Sequence, residues 1–327
     1  MLLHSQTLVN SKNLLAFSAG VDSTALLFLL LENNIQFDIA IVNYGLRTQA
    51  EEEVLYAQEL ANTYNFKCHI LNAKKIESNF EANARKIRYD FFEDLVLEMK
   101  YENLLTAHHL GDRLEWMLMQ FCKGAGCAEL SGMSALDKRE NYTLVRPLLH
   151  LDKQELLKYL NAKKINYFLD KSNSDEKYRR NEFRHNYAKP LLAKYLNGIK
   201  KSFEYIDSDI NELITQVKLK KVNQFTYFVS VNKRSDIFAV DRYMKSIGQL
   251  ITANEKDLLK NEKVVVLGRK FVVSQDKNYV FVAPYIKTTN MPKEFKEKMR
   301  RLGIEPKLRA YLSTDEEAVE LLSLLLQ

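Results

Sequence analysis

The chain has 327 residues, enough for about two domains of ordinary size. Its 46% hydrophobic and 28% charged residues suit a globular protein with a sizeable core and exclude a disordered or fibrous chain. No run of about 18 uncharged apolar residues exists, and Met1 to Asn10 lacks the basic and apolar regions of an export signal, so we expect no membrane span and a cytoplasmic location.

In chain order, Leu14-Leu15-Ala16-Phe17 is a short apolar run followed by the small-residue turn Ser18-Ala19-Gly20-Val21-Asp22-Ser23 and an apolar stretch from Ala25 to Leu31. This reads as strand, tight loop and helix. Such a loop aims backbone N–H groups and the positive end of a helix dipole at one point, so we read it as a phosphate cradle. An ordinary strand-to-helix turn has the same outline. The loop is neither a Walker loop, having no Gly-Lys-Ser/Thr, nor a dinucleotide fingerprint, since only Gly20 of the three glycines is present. The methyl group of Ala19 is expected to keep φ negative at that position.

Phe37 to Val42 reads as a second strand ending in Asn43-Tyr44-Gly45-Leu46-Arg47, Gln49 to Tyr64 as an amphipathic helix, and Cys68 to Leu71 as a third strand. A long helical pattern from Ser78 to Met99 carries Glu81, Arg85, Arg88 and Tyr89. Leu104 to Ala107 is a fourth strand ending at His108-His109, before a helix from Leu110 to Phe121. The small-residue segment from Lys123 to Met133 reads as a mobile loop. Val145 to Leu148 closes the strand series, and Asp152 caps a helix reaching about Ala162. Strands alternating with helices imply an α/β fold with an open parallel sheet and helices on both faces. In such sheets ligands sit beyond the carboxyl ends of the strands, which gathers Ser18 to Ser23, Asn43 to Arg47 and His108 to Glu115 around one crevice.

Asp170 to Asn173 is loop-like. Arg180 then opens a basic helix interrupted at Pro190, Asn197-Gly198 permits a break, and Ser202 to Leu219 reads as a connecting helix. Composition shifts afterwards. Phe225 to Val231, Lys263 to Leu267, Lys270 to Ser274 and Tyr279 to Ala283 are short β-rich runs, and helical patterns at Pro292 to Leu302 and Thr314 to Leu326 end the chain. We expect three parts: a catalytic domain over 1–200, a helical linker over 201–217 and a smaller mixed α+β domain over 218–327. No internal repeat or low-complexity tract is present.

The formal net charge of +6 is unevenly placed. Between Lys177 and Lys201 eight basic residues face Glu182 alone, and from Lys287 to Arg309 eight face three acids. Clustered positive charge is the footprint of a protein that grips a phosphate backbone, although a solvated helix face also carries such runs. Cys68, Cys122 and Cys127 form no closely spaced even framework, which fits a reducing compartment. They are expected to be buried small hydrophobes rather than ligands.

The loop SAGVDS resembles the SGGxDS signature of the N-type ATP pyrophosphatases (the PP-loop superfamily). With IVNYGLR (Ile41 to Arg47), EANARKIRY (Glu81 to Tyr89), TAHHLGDRLE (Thr106 to Glu115), RPL (Arg146 to Leu148), DKSN (Asp170 to Asn173) and RNEFRHNYAKPL (Arg180 to Leu191), the ordered set resembles the tRNA(Ile)-lysidine synthetases. That resemblance covers residues 14 to 191 and carries no motif in the last third. It implies an ATP- and Mg²⁺-dependent ligase. The wobble cytidine of a tRNA(Ile) with a CAU anticodon is adenylated on its C2 oxygen, pyrophosphate leaves, and the ε-amine of L-lysine then displaces AMP. The C-terminal domain would bind tRNA.

On this resemblance Ser18, Ala19, Gly20, Val21, Asp22 and Ser23 bind ATP, with Asp22 the candidate Mg²⁺-linked carboxylate. Asp112 and Glu115, three residues apart on one helical face with His108 a turn back, receive the lysine ammonium groups; a solvent-facing acidic pair has the same spacing. His108 and Asp112 as a metal pair lack a third ligand. Arg85 and Arg88 share a helix face and suit the adenylate or phosphates, Arg88 as a catalytic group. Arg180 and Arg184 suit tRNA phosphates or the nucleotide; surface ion pairing accounts equally well for Arg85 and Arg88, and a solvated helix face for Arg180 and Arg184. The chain departs from the family pattern at Ala19, Ile41, Tyr44, Arg113 and Trp116. Two other readings remain: a tRNA thiolase, which needs a reactive cysteine pair or an iron–sulfur site, and a nucleotide- or RNA-binding module without turnover. The sequence leaves oligomeric state open.

Overall fold

A computed structural model describes residues 2–45, 48–74, 76, 78–169, 179–276, 278–287 and 290–326. Arg47, Lys177 and the DKSN segment lie outside them. The chain divides into two compact units, Met1–Ile206 and Asp207–Gln327.

In the first unit a short helix α1 (Ser5–Val9) precedes β1 (Asn13–Ala16), α2 (Val21–Glu32), β2 (Phe37–Asn43), α3 (Thr48–Tyr64), β3 (Cys68–Asn72), α4 (Phe80–Met99), β4 (Asn103–Leu105) and α5 (Leu110–Phe121). Then come α6 (Cys127–Leu130), β5 (Leu136–Lys138), β6 (Thr143–Val145), α7 (Lys153–Ala162), α8 (Arg179–Phe183), a π-helical turn Arg184–Ala188, and α9 (Lys189–Leu213), which runs into the second unit. The sheet order is β3-β2-β1-β4-β6-β5, with every pair parallel except β5–β6. The chain leaves β1 to one side and returns through β4 on the other. The crevice of an open α/β sheet therefore opens between the carboxyl ends of β1 and β4, where the loop 18–23 and the His108-His109 pair both sit. Leu14, Leu15, Ile39, Leu104 and Leu105 are fully enclosed, as strands covered on both faces must be.

Several expectations fail for identifiable reasons. Ala19 takes φ +55°, in the left-handed region, not the negative φ expected of an alanine. The β1–α2 turn demands that conformation whichever residue fills it, at a cost of about 1 kcal/mol for a side chain with a Cβ. Part of the bracing is explicit: Phe168 donates its N–H to the Ala19 carbonyl at 2.9 Å, and Gly20 pairs with Phe168 as an isolated parallel bridge. The segment 123–133 is not simply a loop, because α6 lies within it and the Arg113 Nε donates to the Ser131 carbonyl at 2.9 Å. The helical break falls at Tyr195 (φ −131°), not at Asn197-Gly198, and α9 ends at Leu213, short of Leu219. Pro190 does not interrupt a helix but sits at the start of α9, just after the π turn; having no N–H, it cannot make the regular backbone bond to the turn before it. Cys122 and Cys127 are exposed, against the expectation that they would be buried, and Cys68 is half-buried.

In the second unit β7 (Lys220–Val222), β8 (Phe225–Val229), α10 (Lys233–Ser246), α11 (Ala253–Asn261), β9 (Val264–Leu267), β10 (Phe271–Gln275), β11 (Tyr279–Pro284), α12 (Lys293–Arg301), α13 (Pro306–Leu312) and α14 (Glu316–Leu325) form an α+β arrangement. Its antiparallel sheet has the order β7-β8-β11-β10-β9. Phe225, Phe281 and Tyr311 stack in its core on the side of α12, α13 and α14, while Phe228 and Val240 pack on the other.

Candidate active site

The phosphate loop is held open by its own side chains. Ser23 Oγ accepts from the Ser18 N–H at 3.2 Å and lies 3.1 Å from Ser18 Oγ. Gly20 has extended backbone, and a Cβ there would make only an ordinary 3.5 Å contact with Ser18 Oγ. Asp22 lies in the first turn of α2. One carboxylate oxygen, Oδ2, is 3.2 Å from Lys153 Nζ and 3.9 Å from His109 Nε2. The other, Oδ1, is buried without a hydrogen-bond partner.

His109 caps α5. Its Nδ1 accepts from the Gly111 N–H at 3.0 Å, and Asp112 Oδ2 accepts from the His109 N–H at 3.0 Å, a reciprocal capping pair. With Nδ1 accepting, Nε2 is the protonated nitrogen, and it lies between Asp22 (3.9 Å) and Asp112 (3.7 Å). Gly111 is required by this geometry, since a Cβ there would sit 2.7 Å from His109 Cε1.

Asp112 and Glu115 do lie together, and both are buried, at 8% and 2% exposure. They do not face open solvent. Arg180 donates through Nη2 to Asp112 Oδ1 at 2.7 Å and through Nε to Glu115 Oε2 at 3.1 Å. Arg184 grips Glu115 with both Nε (2.6 Å) and Nη2 (3.1 Å), and its Nη2 also reaches Asp112 Oδ1 at 3.3 Å. Arg180 and Arg184, expected at phosphates, are in this structure the counter-charges of the acidic pair. Burial works against the Asp112 anion, yet His109, Arg180 and the capping N–H hold its carboxyl well below the usual carboxylate range. Burial likewise opposes the Arg184 cation, and Glu115 more than restores it.

His108 stands at the end of β4, with Nδ1 2.9 Å from Thr106 Oγ1. Burial pushes its imidazole down to about 4, and the positive charges of Arg146, Arg180 and Arg85 add to the effect against the pull of Asp112. It is therefore neutral at pH 7. Arg146 follows β6, is buried, and donates from Nη1 to the Ser134 carbonyl at 2.7 Å. Arg85 and Arg88 are exposed on α4, with the Arg85 guanidinium 4.7 Å over the Tyr89 ring. A cavity of about 570 Å³ opens beside them, lined by Asn79, Phe80, Glu81, Ala82 and Arg85. Tyr44 packs edge-on against Phe80 and donates to the Ala84 carbonyl at 2.9 Å.

The departures from the family pattern have structural places. Ile41 is core, and Arg113 is buried with its guanidinium 4.2 Å over the Phe203 ring. Trp116 is exposed beside Gly132. Residues missed in the sequence are His109, Lys153 and Arg146. His109 had a signal, a polar residue three before Asp112 at a helix start; Lys153 had none. Among the described residues no group of three His, Cys, Asp or Glu side chains is placed to hold a metal ion.

The PP-loop domain family matches residues 2–191. A tRNA(Ile)-lysidine synthase from Helicobacter pylori strain 26695 is 44% identical over 94% of this chain and 91% of its own length. One from Campylobacter jejuni strain RM1221 is 42% identical over 93% of each, and one from Wolinella succinogenes 40% over 95% of each. The chain belongs to the tRNA(Ile)-lysidine synthase family. Among solved structures, the U34-tRNA thiolase NcsA from Methanococcus maripaludis superposes with a TM-score of 0.51 at 18% identity, covering 66% of this chain and 79% of that one, which shows a shared fold. As a PP-loop member of the lysidine synthase family the chain is an ATP-using enzyme. No described helix is long and apolar enough to cross a membrane.

Proposed function

We propose that the chain ligates L-lysine to C2 of the wobble cytidine of a CAU-anticodon tRNA(Ile), with ATP cleaved to AMP and pyrophosphate. The observation that carries this reading is one polar track. It leads from the phosphate loop at Asp22 through His109 to Asp112 and Glu115, so that activation and amine attack share a crevice.

In the first step the cytidine O2 attacks the α-phosphorus and the bond to the bridging oxygen breaks. The N–H groups of residues 20–23 and the α2 dipole stabilise the charge on the leaving pyrophosphate. The unpartnered, buried Oδ1 of Asp22 fits one ligand position of a Mg²⁺ ion whose other positions would be filled by phosphate oxygens and water. Such an ion would neutralise polyphosphate charge.

In the second step the lysine ε-amine attacks C2 and AMP leaves. Asp112, held ionised by its charged neighbours His109 and Arg180, and Glu115 beside it accept the ammonium of the incoming amino acid, which takes the place of a guanidinium contact. Neutral His108 acts as a hydrogen-bonding group, not as an imidazolium. Arg85 and Arg88 on the exposed face of α4 meet RNA phosphate or the adenylate, and Phe80 at the cavity rim offers a stacking face to an unpaired base. The C-terminal unit, with the basic helix α12, adds tRNA affinity. Cys122 and Cys127 are exposed and form no disulfide.

The test is incorporation of labelled lysine into an unmodified CAU-anticodon tRNA(Ile) transcript. Labelling that requires ATP and is lost in Asp22→Ala is expected; no labelling by a wild-type protein that still binds ATP would overturn the assignment.

A further inference from the structure

Lys153 opens α7, directly after Asp152, which caps that helix by accepting the Gln154 N–H while Glu155 reaches back to the Asp152 N–H at 2.7 Å. The reciprocal cap fixes the first turn of α7, and with it the root of the Lys153 side chain. Helices α2 and α7 lie side by side. The residue that braces the phosphate loop, Phe168, also follows α7. Lys153 Nζ thereby reaches Asp22 Oδ2, 3.2 Å away, in the first turn of the helix at whose N-terminus the polyphosphate is expected.

A pyrophosphate group carries three to four negative charges, and a helix N-terminus supplies only about half a positive charge. The nearest side-chain charge on α2 is Asp22, which repels phosphate. A lysine placed on Asp22 cancels that repulsion in the free enzyme and has a flexible stem that lets its ammonium move to a phosphate oxygen when nucleotide arrives.

We propose that Lys153 binds the β- and γ-phosphates of ATP and keeps hold of the pyrophosphate as the bond from the α-phosphorus to the bridging oxygen breaks. The electron pair of that bond goes to the bridging oxygen of the leaving group, and Lys153 lies where the resulting charge collects. The proposal rests on the ATP-using reading of the site but not on the identity of the nucleophile.

The experiment is calorimetric titration of the full-length protein with magnesium pyrophosphate and, separately, with AMP, comparing wild type, Lys153→Met and Lys153→Arg. Pyrophosphate binding is expected to weaken about tenfold in Lys153→Met, with AMP affinity unchanged and with Lys153→Arg recovering most of the loss. A pyrophosphate loss below about threefold, or an AMP loss as large as the pyrophosphate loss, would overturn the proposal. If Lys153→Met does not fold, wild type still decides. The Lys153 side chain is 42% exposed and open to amine-reactive labelling, and pyrophosphate, but not AMP, should protect it. Equal labelling with and without pyrophosphate would contradict it. Neither arm uses lysine or tRNA, so failure of the ligase reading leaves both results interpretable.

Discussion

Each unit contains an acid-and-two-arginines cluster, and the two differ in burial. In the first unit Glu115 is gripped by Arg180 and Arg184 with the carboxylate at 3% side-chain exposure. In the second, Glu297 accepts from Arg300 at 2.8 Å and lies 3.3 Å from Arg301, with all three side chains open to solvent. The distances are alike and the consequences are not. Solvent and salt screen the second cluster, which contributes little to stability. In the first the carboxylates are buried while the arginines reach them from a partly exposed side, so removing an arginine leaves a buried carboxylate short of its counter-charge. Distance alone does not distinguish an ion cluster that matters to stability from a screened one; burial does.

Glu115→Ala gives the strongest contrast. It should destabilise the protein by about 3 kcal/mol by taking from the largely buried Arg184 its two shortest carboxylate contacts, whereas Glu297→Ala should leave the urea midpoint unchanged. Equal effects in denaturant titrations would dissolve the comparison. His108 comes next. It is neutral when folded and down to about 4, while the unfolded chain takes up that proton near pH 6.5. Acidification from 6.5 towards 4 therefore favours unfolding, by up to about 3 kcal/mol from this group, and His108→Gln should flatten that part of the stability profile. Gly111→Ala should follow, costing about 1–3 kcal/mol as its Cβ pushes into His109, with activity falling as the cap is displaced. The smallest effect is a gain: Ala19→Gly should stabilise by about 1 kcal/mol through relief of the positive φ. A loss of stability there would show that the methyl group packs usefully.

The first unit was legible where the signal is local. The strand from Phe37 and the helices over 110–121 and 153–162 follow from apolar runs, periodicity and the Asp152 cap. The edge strand β5 was not legible, since Leu136–Lys138 has three residues and no alternation, and in the second unit β7 and the polar helices α10, α11 and α13 gave too weak a pattern. Two of the three strand-end clusters, 18–23 and 108–115, meet through Asp22 and His109, because topology brings them together whatever their separation, while Leu46 and Arg47 of the third lie outside the described residues. The wiring of the site was not legible. Arg180 meets Glu115 across 65 residues and Lys153 meets Asp22 across 131, and no spacing rule links them. Ala19 shows the reverse failure: a correct local preference was overridden by the turn that the crevice needs.

The central claim is that activation and amine attack use separate groups in one crevice, and the double variant Asp112→Asn/Glu115→Gln tests it most directly. Supplied with ATP, CAU-anticodon tRNA(Ile) and lysine, it should still form adenylated tRNA and release pyrophosphate while lysine incorporation collapses. An unchanged KM for lysine in that variant would contradict the account.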